Sequence, residues 1–133
     1  MVEGLQTDAI VINLSTISPT ATREMADTIR QKGAHMLDAT VSGGEGGAIA
    51  GTLSIMLGGI KAIFNRCLPI FEAMGKNIVH LGETGSGQLT KLCNQIALAI
   101  TNLAMSEALI FGATAGINLK KMQQAISGGA AGS

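Results

Sequence analysis

The strongest constraint on the fold is a strand–helix–strand pattern near the amino terminus. Ala9-Ile10-Val11-Ile12-Asn13-Leu14 is a short apolar run rich in β-branched residues. It reads as a strand buried on both faces. Ser18 followed by Pro19 supplies a hydroxyl N-cap and a proline at the first helical position. A helix from Pro19 to about Gln31 follows, closed by Gly33. Glu24, Asp27 and Arg30 mark its wet side; Ala21, Met25 and Ile29 mark its dry side. His35 to Val41 is the second strand. Two strands joined by one helix make a βαβ unit, whose natural pairing is parallel.

The rest of the chain keeps alternating. Ser42 to Gly51, SGGEGGAIAG, is too glycine-rich for a regular sheet and reads as a loop with room for a short helical turn. Thr52 to Leu57 is a strand and Gly58-Gly59 a turn. A helix from Ile60 to about Ala73 places Ile63, Cys67, Ile70 and Phe71 on one face, with Pro69 as a kink point. Asn77 to Leu81 is a further strand. A long helix then runs from Ser86 or Gly87 to Ala115, apolar almost all round beyond Ala97, and a last helix spans Leu119 to Ile126. The fold class is α/β.

Composition excludes several functions. The 9 basic and 9 acidic residues balance, and no Lys/Arg cluster runs along any segment, which argues against nucleic acid as a partner. Only 3 aromatic residues occur, all Phe, so nothing stacks bases or cages a cation. Charged residues are only 14% of the chain, which favours burial of surface against another domain or another copy of itself. Ile96 to Gly116 is the most apolar stretch, but Asn102, Ser106 and Glu107 interrupt it. A buried helix is expected there rather than a membrane span. The amino terminus has no basic stretch leading into an apolar core, so a cytoplasmic protein is expected. Cys67 and Cys93 are far apart and read as reduced core thiols; with His35 and His80 they make no metal-ligand spacing.

Chemistry has two candidate centres. At the end of a strand, Ser42-Gly43-Gly44 can cradle a carboxylate with backbone N–H groups and a hydroxyl; the alternative is a flexible turn. Lys91 lies in the first turns of the long helix, among the apolar Leu89, Leu92, Cys93 and Ile96. A lysine held partly out of water can exchange a proton with a substrate; the alternative is a surface lysine with an extended stem. Gln95 at i+4 shares its face, and Asn94 lies beside them. His80 ends a strand, where bonding to loop backbone is the expected role. Asp38 sits inside an apolar strand and needs several donors, which the following glycine loop could supply.

Taken in order, these segments resemble the β-hydroxyacid dehydrogenases, which include 3-hydroxyisobutyrate dehydrogenase and tartronate semialdehyde (2-hydroxy-3-oxopropionate) reductase. The resemblance rests on Ile12 to Pro19, Leu37 to Gly44, Gly51 to Gly59, Ala73 to Lys76 with His80 to Gly82, and Gly85 to Gln88 with Lys91 to Gln95. Gly128 to Ser133 looks like a glycine-rich segment that follows a later helix. It implies a partial Rossmann-like domain over 1–85, carrying sheet and substrate loop, and over 86–133 a long interdomain helix and the start of an all-helical domain.

It also implies an NAD(P)-dependent oxidoreductase acting on a small β-hydroxyacid or its semialdehyde, and a homo-oligomer, by expectation a dimer. Lys91 would be the general acid in reduction and the base in oxidation. Ser42, Gly43 and Gly44 would bind the substrate carboxylate, and Asn94 and Gln95 would position the substrate. Ser15 and Thr16 would face the nicotinamide end of NAD or NADP. The Asn94-Gln95 pair looks more like tartronate semialdehyde reductases than relatives with two asparagines. Thr40 stands where proline is common, a departure expected to affect the loop. No Gly-x-Gly-x-x-Gly occurs, so a truncated family segment that binds NAD(P)H weakly by itself is expected. The alternatives are a non-catalytic self-associating fragment and a small-carboxylate binding module.

Overall fold

A computed structural model describes residues 2–129 and 131. The chain divides into two compact units, Met1–Cys93 and Asn94–Ser133. The first unit opens with a 3-10 turn, Val2–Gly4, and then alternates β1 (Ile10–Asn13), α1 (Pro19–Gln31), β2 (His35–Ser42), α2 (Gly44–Ala50), β3 (Leu53–Gly58), α3 (Lys61–Met74) and β4 (Gly75–Gly82). The long helix α4 (Ser86–Thr114) starts in this unit and continues into the second, which adds α5 (Leu119–Ser127).

The four strands form one sheet in sequence order. β1 and β2 pair in parallel, with Ile10 opposite His35 and Asn13 opposite Asp38, as the βαβ pattern requires. β3 runs antiparallel to β2, and β4 parallel to β3. β1 lies at one edge, and all four of its residues are half-buried rather than buried on both faces as expected.

Alternation along β2 sorts the two sheet faces. Leu37 and Ala39 join Leu53, Ile55 and Leu57 under α3, whose inner side carries Ile63, Phe64, Cys67 and Phe71. Ile70, expected on that inner side, is half exposed, and Phe64 takes the place instead. On the other face Met36 packs with Ile29 of α1 and Ala34. The N-cap of α1 is Ser18, whose Oγ accepts from Ala21 N, and Pro19 opens the helix. Thr22 is fully buried on this helix, whereas Met25, expected to be dry, is partly exposed.

In the second unit α4 is closed off just beyond Thr114 by Gly116, whose φ of 76° suits a residue without a Cβ. Gly116 N donates to Ala113 O at 3.0 Å and Ile117 N to Gly112 O at 2.9 Å, a Schellman closure. Asn118 caps α5 by accepting from Lys121 N at 3.1 Å. Gly112 leaves the space that Met122 Sδ fills. The outer surface of α4 is not covered: Ile96, Ile100, Leu103, Ile110 and Phe111 are all more than half exposed. A buried helix was expected here, and in the single chain it is open. By length and composition alone α4 could cross a membrane. The closing glycine-rich segment lies partly outside the described residues.

Candidate functional site

The residues that matter sit on one face of β2. Period-two alternation puts Met36, Asp38, Thr40 and Ser42 on the same side of the strand. Asp38 and Thr40 are fully buried there. Asp38 accepts from Gly85 N at 2.8 Å through Oδ1 and from Gln88 N at 3.0 Å through Oδ2. These are N–H groups at the start of α4, which have no partner within the helix, so a strand carboxylate caps a helix distant in sequence. The expected donors were those of the glycine loop after Ser42. That expectation is corrected: Asp38 organises the start of α4.

Thr40 also meets α4. Its Oγ1 lies 3.0 Å from Gly87 O and 3.4 Å from Met56 O, so its single hydroxyl proton is offered to a helix carbonyl and a strand carbonyl. The threonine was expected to act on the loop; its contacts instead fix the helix. Gly87 is where the helix touches the sheet. A Cβ there would stand 2.5 Å from Met56 O and 2.7 Å from Asp38 O, so only glycine permits the approach.

Gln88, for which the sequence suggested no role, completes the arrangement. It is fully buried, its Oε1 accepts from Ile17 N at 3.0 Å, and its Nε2 donates to Ser15 O at 2.7 Å. The segment after β1 is thereby held from behind, leaving Ser15 and Thr16 exposed. Asn13 Oδ1 accepts from Ser15 N at 3.0 Å and tightens the same turn. Buried amides of this kind are hard to foresee, because a glutamine in a first helical turn ordinarily faces water.

The glycine hook follows β2 directly. Ser42 is half-buried, and Gly43 and Gly44 are exposed with φ of 138° and 61°. Gly44 opens α2, the helical turn for which the sequence left room. Lys91 is half-buried in α4, one turn beyond Gln88. The surroundings expected to be dry are not: Leu89, Leu92, Cys93 and Ile96 are all exposed. Asn94 is half-buried and Gln95 exposed.

The histidines are occupied elsewhere. His80 Nε2 lies 2.7 Å from Gly59 O, the backbone bond expected of it, and its ring tilts against Phe64. His35 faces Asp8, which also takes two 2.9 Å bonds from Arg66. The Arg66 guanidinium, with a smaller part from His35, holds the Asp8 carboxyl below the ordinary carboxylate range. Among the described residues no group of three His, Cys, Asp or Glu could hold a metal. A cavity of about 680 Å³ is lined by Arg23, Arg30, His35, Lys61, His80 and Glu83 among others; neither Ser42 nor Lys91 borders it.

Known proteins match along the whole chain. Residues 1–82 match the family described as the NAD binding domain of 6-phosphogluconate dehydrogenase, and residues 85–133 that described as NAD-binding of NADP-dependent 3-hydroxyisobutyrate dehydrogenase. The 2-hydroxy-3-oxopropionate reductase of Escherichia coli (strain K12) is 47% identical over 123 residues, covering 92% of this chain and 42% of the relative. A Mycobacterium tuberculosis 3-hydroxyisobutyrate dehydrogenase solved with L-serine superposes with a TM-score of 0.88 at 34% identity, over 100% of this chain and 45% of that one. Psf3, solved with NADP+ and 2-OPP, gives a TM-score of 0.94 at 28% identity, over 100% and 47%. The chain thus spans under half the length of the curated relatives it matches.

Proposed function

The chain belongs to the β-hydroxyacid dehydrogenase family, and from that premise we propose that it carries the substrate-binding and proton-transfer part of an NAD(P)-dependent oxidoreductase for a small β-hydroxyacid or its semialdehyde. The single observation that carries this reading is the bond between Thr40 Oγ1 and Gly87 O. It pins the first turn of α4 to β2. Ser42 is two residues further along the strand on the same face, about 6.6 Å on. Lys91 is four residues further along the helix on the same face as Gly87, about 6 Å on. Each thus lies within about 7 Å of chain from one shared contact, which supports their belonging to one site.

Roles follow from chemistry. Ser42 Oγ and the Gly43 and Gly44 N–H groups hold the substrate carboxylate. The Lys91 ammonium gives its proton to the carbonyl oxygen during reduction, and the neutral amine takes the hydroxyl proton during oxidation. Asn94 and Gln95, one turn further along α4, hold the substrate by hydrogen bonds. Ser15 and Thr16 fit the nicotinamide end of NAD or NADP, because their hydroxyls are exposed beside β1 while Gln88 fixes their backbone. When bound, that cofactor supplies or accepts the hydride. Tartronate semialdehyde is the substrate favoured, since the 2-hydroxy-3-oxopropionate reductase is a 47% identical relative and Asn94-Gln95 resembles such reductases more than relatives with two asparagines.

The test is NAD(P)H oxidation by the full chain with tartronate semialdehyde, beside Lys91→Ala. Turnover that disappears in the variant supports the reading; equal turnover in both overturns it. A specific observation also favours self-association, namely the uncovered Ile96, Ile100, Leu103, Ile110 and Phe111 on α4. Sedimentation of a homo-oligomer is expected, and a monomer at all concentrations would remove that part.

A further inference from the structure

We infer that Gln88 is a positioning residue that ties the segment bearing Ser15 and Thr16 to the helical turn bearing Lys91, so that the two shift together. The inference rests on the proposed roles of Ser15, Thr16 and Lys91. Its physical basis is independent of them.

Gln88 makes three bonds from one buried position. Its backbone N–H goes to Asp38 Oδ2, its Oε1 accepts from Ile17 N, and its Nε2 donates to Ser15 O. The first bond fixes the residue to the sheet, and the other two fix the β1–α1 segment to the residue. A side chain at this place must both accept and donate at its tip. Glutamate only accepts when ionised, and its charge would face the Ser15 carbonyl oxygen. Methionine has nearly the same length and does neither. Asparagine is one methylene shorter and does not span the gap while the Asp38 bond holds the helix in place.

The consequence reaches Lys91 through the helix. Residues 88 and 91 are three apart and adjacent on the α4 surface. The turn between them is stiff, because its start is held by Asp38 and its Gly87 is pressed on the sheet. A ligand that displaces Ser15 or Thr16 therefore pulls on the same turn from which the Lys91 side chain extends. Breaking the two side-chain bonds removes the hydrogen bonds that join the segment to α4. Asp38 continues to hold α4 in that case, so the helix remains docked.

Backbone-amide NMR on the full chain, comparing wild type with Gln88→Met and Gln88→Glu, tests the tie. In both variants exchange of the Ile17 amide should speed up about tenfold, while the Gly85 and residue-88 amides, bonded to Asp38, keep their protection. A variant in which all these amides lose protection alike would show a collapsed helix start and overturn the separate tie. Unchanged Ile17 exchange would overturn it also. NADPH is then titrated. In wild type, shifts at Thr16 and Ile17 should be accompanied by shifts at Lys91; in Gln88→Met the first persist and the second vanish. Equal Lys91 responses in the two proteins would refute the coupling. Should neither NADPH nor NADH move any amide in wild type, the proposed function falls, and the tie is decided by the exchange result.

Discussion

Asp38 and Gly85, 47 positions apart in sequence, are joined by a 2.8 Å hydrogen bond that sets where α4 begins. A helix starting there needs partners for its first N–H groups, and a fully buried carboxylate supplies two of them. Asp38→Ala should cost about 2–4 kcal/mol, because two buried donors lose their acceptor. Asp38→Asn, which keeps one acceptor oxygen, should cost less. Denaturant midpoints followed by circular dichroism check both, and a midpoint unchanged in Asp38→Ala would contradict this account of the cap.

Gly87→Ala sets helix propensity against packing. Alanine in a helix is favoured over glycine by about 1 kcal/mol. Here the added Cβ would stand 2.5 Å from one backbone oxygen and 2.7 Å from another, and neither is the free end of a flexible side chain. Packing should win, with a net loss of about 2 kcal/mol. The same denaturation experiment reads it, and a stabilised variant would mean that the helix stands further from the sheet.

Ser42→Ala addresses the glycine hook. The backbone N–H groups of Gly43 and Gly44 remain, so only one donor of the proposed carboxylate site is removed. KM for the acid should rise about tenfold with kcat changed less than about twofold. Steady-state kinetics separates the two constants. A fall in kcat alone would move Ser42 out of the carboxylate site.

Acid stability should bear the mark of Asp8. Its carboxyl is held below the ordinary value of 3.8, chiefly by Arg66. A depressed carboxylate contributes stability that is complete above the unfolded value. That contribution is lost as pH falls through the lower native value. Wild type should therefore lose stability from about pH 4 downward more steeply than Asp8→Asn. Unfolding midpoints measured across that range check the difference; parallel curves would show that the Arg66 pair adds nothing.

Local chemistry made much of the fold readable. Ser18 and Pro19 mark the start of α1, and Gly33 its end, because cap requirements are written in adjacent residues. The glycines around Ser42 and the lysine at 91 stood out for the same reason. What could not be read were partners distant in the chain. Asp38 was seen to need donors, yet nothing near it indicates that they lie at Gly85 and Gln88. Gln88 itself looks like any polar residue in a first helical turn. Exposure along α4 was also misjudged around Leu89 and Leu92, since an apolar repeat reports which side prefers to be dry and not whether anything covers it.

The reversed direction of β3 has a further consequence. Because Ser42 pairs with Ser54, the chain leaves β2 and returns to the sheet at the same end. The ten residues between β2 and β3, 43 to 52, form a crown on a fixed stem. Doubling the length of such a crown costs only about 0.6 kcal/mol of closure entropy. Reshaping it would alter the proposed grip on an acid group without disturbing any strand, which makes it the cheapest place for descendants of this scaffold to change diet.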